Sequence, residues 1–281
     1  MGGEVAARPA RPLPSGRPQA APAPGAPDPN SGTTATGVEE SARAVVEGGR
    51  VHLERSVRDG DLEVIRRVAI PPRRRDSTRY LVTARALDIV GSAALLLATA
   101  PAVALLWLVI RIDSKGSPIF RQQRVGHDGK LFTFYKFRTM YLDARERFPE
   151  LYAYDYDEEQ VETLYFKLPY DPRCTRVGRW LRRTSLDELP NLYNVLRGDM
   201  TLVGPRPEIP EMVAHYRDDQ LLKFSVKPGL TGLAQVSGRN ILRFQETLAH
   251  DLAYVDARNT RTDLRILRRT VGAVVLMMGA H

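Results

Sequence analysis

The sequence predicts an α+β fold: a mostly helical domain with a small β element, held monotopically at a membrane by a proline-broken re-entrant helix hairpin. Three observations predict it. The run Ile89–Ile110 has no charged residue, yet carries Pro101 near its middle. Basic residues crowd both flanks of that run. Downstream, apolar residues recur mostly at helical spacing, and a single pair of segments alternates as strands do.

Residues 1–48 read as a tail. Eight prolines fall between Pro9 and Pro29 among Ala, Gly and Ser, a composition that buries too little apolar surface to offset the entropy of ordering. Residues 1–30 also lack the apolar core of a secretory signal, so the N-terminus is expected to stay where it is made. Residues 49–80 form a short segment with a β-like run at Val64–Ile70, then Pro71-Pro72 and the basic cluster Arg73-Arg74-Arg75. No internal repeat is present.

The membrane element is placed at 81–112. A 22-residue helix extends about 33 Å, enough to span the hydrocarbon core. A spanning helix, a buried core helix and a re-entrant hairpin all fit that length. Two features favour the hairpin. Pro101 removes a backbone hydrogen bond and bends or breaks the helix. Arg66, Arg67, Arg73, Arg74, Arg75, Arg79 and Arg85 precede the run, while Arg111, Lys115, Arg121, Arg124 and Lys130 follow it. Cytoplasmic flanks gather Lys and Arg, so basic residues on both sides place both ends in the cytoplasm.

A separate domain is expected over 113–281. Pro118-Ile-Phe and Leu131–Phe137 read as strands around the turn Gly126–Gly129. Residues 143–163 read as an acidic amphipathic helix. Arg176–Leu181, Leu186–Leu196 with Pro190 near its start, Glu208–Phe224 and Phe244–Arg258 follow with helical spacing. The last apolar run, Val271–Gly279, is too short to span and is expected at most on a membrane surface.

Composition narrows the chemistry. Forty-one Lys and Arg against thirty-three Asp and Glu give a net charge of +8, which suits a polyanion: nucleic acid, anionic lipid or a phosphorylated substrate. A solvated Arg-rich surface is the bland alternative. Cys174 stands alone, which excludes an internal disulfide and a multi-cysteine zinc site. Histidines at 52, 127, 215, 250 and 281 form no HExxH or HxxxH pair.

Functional-looking residues concentrate in TSLDELPNLYNVLRGDMTLVGPRP, Thr184 to Pro207. Asp187 and Glu188 sit just inside the start of a helix that Ser185 is placed to cap. Neighbouring helical residues point about 100° apart, so they cannot face each other as a glycosidase pair. One carboxylate as nucleophile and its neighbour as divalent-cation ligand is a division of labour they do permit. Acidic residues in a first helical turn are also common for dipole reasons alone. Arg197-Gly198-Asp199 follows, and then Gly204-Pro205-Arg206-Pro207, a rigid turn that presents a phosphate-binding arginine. The glycine-rich stretch Lys227–Asn240 adds Lys227, Thr231, Gln235, Arg239 and Asn240 as a cradle for a diphosphate, without a Walker or Rossmann pattern.

Three successive blocks, FRQQRVGHDGKLFTFYKFRTM, DPRCTRVGRWLRRTSLDELPNLYNVLRGDMTLVGPRP and KPGLTGLAQVSGRN, closely resemble the bacterial sugar transferases called monotopic phosphoglycosyl transferases. The resemblance covers roughly Arg79 to Arg269. It implies a proline-broken re-entrant hairpin at Ile89–Ile110. It also implies transfer of a sugar 1-phosphate from a UDP-sugar to a polyprenyl (undecaprenyl) phosphate with release of UMP, a step that initiates exopolysaccharide, capsule or related glycan assembly. By the same resemblance Asp187 is the nucleophile that carries a covalent phosphosugar, and Glu188 is the Mg²⁺ ligand. Arg206 holds a phosphate, with Lys136 and Arg138 on the strand beside the site and Arg239 and Asn240 as further substrate contacts. The enzyme would sit on the cytoplasmic face of the cell membrane, and a homo-oligomer is compatible with the sequence.

Departures from the family pattern limit what carries over. Where longer members carry a four-helix membrane module and sensor-like domain, the tail and short segment are expected to stand instead. Leu233 stands where many members have Trp. The insertion Arg145–Tyr170, with Phe166-Lys167, resembles exopolysaccharide-initiating members and points to a glucose or galactose 1-phosphate donor. A catalytically silent scaffold is opposed by the intact Asp187, Glu188 and Arg206. A nucleic-acid-binding protein is opposed by the uncharged run at 89–110.

Overall fold

Strand β1 (Val38–Glu47) pairs antiparallel along its length with β2 (Arg50–Asp59), and β2 pairs with β3 (Leu62–Val68). Gly48 and Gly49 turn the first hairpin at φ +56° and +75°, the left-handed pair that matches strand twist. The computed structural model describes residues 38–59, 62–72, 76–165, 170–238 and 242–275. The tail up to residue 37, Arg73-Arg74-Arg75, Phe166-Lys167, Arg239, Asn240 and the run's end at 276–279 lie outside them. Residues 38–47, expected in the tail, are a strand instead. Alternation in the segment decides this, because Ala42 and Ala44 pack inward with Val51 and Leu53 of β2. Burying a side chain such as Leu53 stabilises by roughly 1.5–3 kcal/mol.

Helix α1 (Thr78–Asp113) is 36 residues long, and Ser77 caps its start by accepting from the Tyr80 N–H at 3.2 Å. It runs through Pro101 as one element, so the expected break into two helices does not appear as a gap. A proline removes only its own N–H, and the turns on either side keep their bonds. Among the described residues α1 is the helix long and apolar enough to cross a membrane, and 11% of its most apolar window is buried. That degree of exposure rules against a core helix. Leu97, Leu105, Leu108 and Ile112 on its outer side are exposed.

The inner side of α1 lies on the domain along its length. Arg85 donates to the Val195 and Leu196 carbonyls at 2.8 Å, Asp88 accepts from Leu202 N–H at 2.7 Å, and Leu106 and Ile110 pack with Phe137 and Leu181. Beyond its last turn, Arg138 donates to the Ser114 and Lys115 carbonyls at 2.7 Å.

The expected hairpin is β4 (Ile119–Val125) with β5 (Leu131–Phe137). Residues 143–163 are not one helix but α2 (Ala144–Arg147), a 3-10 turn at Pro149–Tyr152, and α3 (Glu158–Thr163), which restarts on an Asp157 capping box. Pro149 and the left-handed Tyr154 (φ +53°) break the helical repeat. Then come α4 (Arg176–Thr184), α5 (Asn191–Arg197), α6 (Leu233–Ser237), α7 (Phe244–Ala257) and α8 (Thr260–Val275). Glu208–Phe224 also departs from expectation: it holds two 3-10 segments, Pro210–His215 and Asp219–Ser225, separated by the extended backbone of Tyr216. Burying the Tyr216 ring against Phe224 and Phe244 fixes that interruption.

A two-stranded parallel pair, β6 (Thr201–Val203) with β7 (Gly229–Thr231), brings the Gly-Pro-Arg-Pro turn beside the glycine-rich loop. The backbones nearly touch there. A Cβ on Gly229 would lie 2.0 Å from Gly204 N, and one on Gly232 would lie 2.2 Å from Gly204 O, so no larger residue fits.

Candidate active site

The acidic pair is positioned by the end of α4. Thr175 caps that helix through Gly178 N–H at 2.9 Å, and Gly178 rests on the Thr139 backbone so closely that a Cβ would sit 1.9 Å from the Thr139 carbonyl. This contact locks α4 to the end of β5. The helix stops at Ser185, which takes a left-handed φ of +60°, and Leu186–Glu188 continues as one 3-10 turn. Ser185 makes no side-chain cap there, contrary to expectation, because its backbone is the hinge between two helical pieces. Asp187 is buried at 9% exposure, while the Glu188 side chain stays 26% exposed. Asp187 is therefore buried and its neighbour Glu188 half-buried.

Arg206 reaches Glu188 from the Pro-Arg-Pro turn, with Nη1 3.4 Å from Oε1 and its side chain 37% exposed. At that length and exposure the pair is weak as a structural bond. Lys136 on β5 stands near Asp187. Burial, chiefly, with repulsion from Arg124, Arg182 and Arg206, lowers its ammonium to about 8, and Asp187 opposes that shift. Arg124 is lowered to about 10, mainly by burial. It donates to the Pro207 carbonyl at 3.2 Å and to Gln122 at 2.8 Å. Arg182 is held by Asp171 at 2.6 Å, and Asp171 also pairs with Arg173 at 2.9 Å. Burial raises the Asp171 carboxyl, but hydrogen bonds from the two guanidiniums outweigh it and hold the group near 2.

Asp187, Glu188, Arg206 and Lys136 are thus brought together as expected. Arg138 is not. It is 5% exposed and its terminal nitrogens are engaged by Ser114 and Lys115, so it ties down the exit of α1 rather than facing a substrate. The glycine-rich cradle does not converge either: Thr231 bonds Thr270 at 2.7 Å, and Lys227 lies near Arg85 and Asp88. Arg239 and Asn240 lie outside the described residues. Arg124, Arg182 and Asp171 were missed. Arg124 reads in the sequence as one more basic flank, and only the fold carries it to Pro207.

Among the described residues no cluster of three or more metal-binding side chains occurs. The donor set still fits Mg²⁺, which keeps several waters and binds through one or two carboxylates plus substrate phosphate oxygens. Glu188, half-buried beside Arg206, is the carboxylate that would hold it.

A family model described as bacterial sugar transferase matches residues 79–277. The chain is 43% identical over 205 residues to an undecaprenyl-phosphate galactose phosphotransferase of Salmonella typhimurium, covering 73% of this chain and 42% of that one. It is 38% identical over 198 residues to an undecaprenyl-phosphate glucose phosphotransferase of Komagataeibacter xylinus, covering 66% and 35%. It is 36% identical over 197 residues to the exopolysaccharide production protein ExoY of Rhizobium meliloti, covering 70% and 87%. The chain spans less than half the length of the first two.

Proposed function

The chain belongs to the bacterial sugar transferase family, and from that premise we propose that it transfers a hexose 1-phosphate from a UDP-sugar to undecaprenyl phosphate at the cytoplasmic face of the membrane, which starts an exopolysaccharide or related glycan. The observation that carries the reading is the acidic pair: a buried Asp187 beside a half-buried Glu188, with Arg206 3.4 Å from the latter.

Asp187 attacks the phosphorus that bears the sugar. A P–O bond forms to its carboxylate, and the P–O bond to the uridylyl phosphate breaks, releasing UMP. Lys136 and Arg206 hold the phosphate oxygens on which negative charge grows. An oxygen of the lipid phosphate then attacks the same phosphorus, the bond to Asp187 breaks, and the sugar leaves on a polyprenyl diphosphate. Glu188 would hold Mg²⁺, which when bound neutralises charge on the diphosphate. Names of relatives that specify galactose and glucose, together with the 145–170 insertion, support a hexose donor.

Attachment is read as monotopic. A spanning helix would put the flanks of the apolar run on opposite sides of the bilayer. Here Arg85 and Ser114, one on each flank, both bind the same domain. That supports a run whose two ends stay on one side of the bilayer, with α1 continuous through Pro101 and its exposed outer face toward the lipid.

The test is UMP release by the full chain with a panel of UDP-sugars, undecaprenyl phosphate and Mg²⁺. Without lipid acceptor, a covalent phosphosugar should appear on Asp187 by mass spectrometry. Full turnover by Asp187→Asn would remove the nucleophile assignment. A chain that fractionates with membranes but releases no UMP from any donor would be a scaffold.

A further inference from the structure

The turn that presents Arg206 is gripped from behind by charges that the proposed reaction does not use. Glu208, directly after Pro207, is 6% exposed, and its carboxylate accepts from Ile209 N–H at 3.1 Å and from the Tyr216 hydroxyl at 3.0 Å. Lys223 is 4% exposed. Its ammonium lies 3.0 Å from the Tyr216 oxygen, 3.5 Å from Glu208 and 3.1 Å from Asp251 on α7. Asp251 is fully buried, and the backbone amide of Arg206 faces it as well. Arg124 completes the cluster at the Pro207 carbonyl.

Two cations and two carboxylates so placed are a poor way to gain stability, because apolar residues of the same volume serve as well or better. They do supply direction, since hydrogen-bonded charges tolerate few geometries. The Arg206 side chain needs that direction: its contact with Glu188 is long and partly exposed. Pro205 and Pro207 restrict the local backbone, and the Tyr254 hydroxyl of α7 donates to the Val203 carbonyl at 2.9 Å just before the turn, while the buried cluster holds the turn's far side, from Arg206 to Glu208, against α7.

We propose that Lys223, Asp251 and Glu208 are positioning residues that hold the Arg206 turn against α7 and so aim its guanidinium at a substrate phosphate beside Glu188. The proposal rests on the reading that Arg206 binds a phosphate.

The test uses the full chain in detergent with UDP and Mg²⁺ as the probe. Lys223→Met combined with Asp251→Leu removes both charges at similar volume, so the fold is expected to survive. UDP should bind about tenfold more weakly, whereas in an Arg206→Ala background the same pair of changes should cost less than about twofold. Equal losses in both backgrounds, or unchanged affinity with Arg206 present, would overturn the proposal. Should the double variant not fold, Asp251→Asn keeps the shape and removes one charge. It should lower kcat/KM for the donor with Arg206 present and leave it nearly unchanged in the Arg206→Ala background, and an unchanged kcat/KM with Arg206 present would overturn the proposal. Hydrogen exchange gives a readout free of activity: the peptide over 204–209 should exchange faster in the variant, and unaltered exchange would count against the role. If wild-type protein binds UDP with this coupling but releases no UMP from any donor, the transferase reading fails and the positioning role stands. If it binds no UDP, both fail.

Discussion

The carboxylate of Asp88 accepts the backbone N–H of Leu202 at 2.7 Å and the Thr201 hydroxyl at 2.9 Å. Asp88 immediately precedes the apolar run of α1, and Leu202 lies in β6, four residues before Arg206. One buried side chain therefore connects the membrane element to the strand that leads into the active-site turn. Replacing Asp88 with Leu would leave the Leu202 N–H buried without an acceptor, a loss of about 1–3 kcal/mol. Asp88→Leu should lower both the unfolding midpoint and UMP release, while Asp88→Asn, which keeps an acceptor oxygen, should retain most of each. Equal behaviour of the two variants would show that the hydrogen bond is unimportant.

That connection also shows what the sequence conceals. The uncharged run, its basic flanks, the β4–β5 hairpin, α4, α7 and the Asp187–Glu188 pair were legible, because each is written in neighbouring residues. Asp88 was not, since beside an uncharged stretch a lone Asp reads as the edge of a membrane segment. Arg138 looked like a site residue for the opposite reason: it shares a motif with Lys136, but it lies past the end of β5 and is drawn to the free carbonyls after α1. The helices expected at 143–163 and 208–224 failed where Pro149, Tyr154 and Tyr216 impose local backbone conformations that apolar spacing does not register.

Lys136 should set the alkaline limit of activity. Burial first, then the neighbouring cations, bring its ammonium from an ordinary 10.5 to about 8. If its charge holds a phosphate, kcat/KM should fall as pH rises through about 8, and Lys136→Arg should move that limb upward because guanidinium stays charged. Unfolding would not explain the limb. Between about 8 and 10.5 the unfolded chain binds more protons at this site than the folded one, so this group's contribution to stability rises with pH. An unshifted limb in the arginine variant would assign the loss to another group.

Arg206 and Glu188 should separate by variant. Arg206→Ala is expected to raise KM for the UDP-sugar and lower kcat/KM by a factor on the order of 10²–10³, with Arg206→Lys recovering only part, because a bidentate fork cannot be replaced by a point charge. Glu188→Gln should shift the Mg²⁺ concentration for half-maximal activity upward. Kinetics across a Mg²⁺ titration measures both, and an unchanged Mg²⁺ requirement would remove Glu188 as ligand.

Asp171 should make the scaffold beneath Asp187 sensitive to acid. Its carboxyl is depressed from 3.8 to about 2 by Arg173 and Arg182 despite burial. A depressed acid stabilises the folded state above its unfolded value, and that contribution fades as pH falls from about 4 toward 2. Its size is about 2 kcal/mol. Chemical denaturation in detergent should therefore show Asp171→Asn less stable than wild type at pH 6, with the difference shrinking as pH drops into that window. A difference independent of pH would mean that Asp171 acts through shape rather than charge.

Topology gives the last check, and it concerns the run with which the fold began. Cysteines placed singly before Arg85 and after Arg111, in a chain whose buried Cys174 is changed to Ser, should react with an impermeant thiol reagent from the cytoplasmic side only. The physical reason is that Arg85 and Ser114 are tied to one domain, which a bilayer cannot divide. Pro101→Leu restores the one backbone hydrogen bond that the proline removes and stiffens the helix. An apolar helix of this length has enough reach to span, so a stiffer one should either send the two labels to opposite sides or lose activity as its flanks are pulled from the domain. Wild-type labels reacting from opposite sides would replace the re-entrant arrangement with a spanning helix.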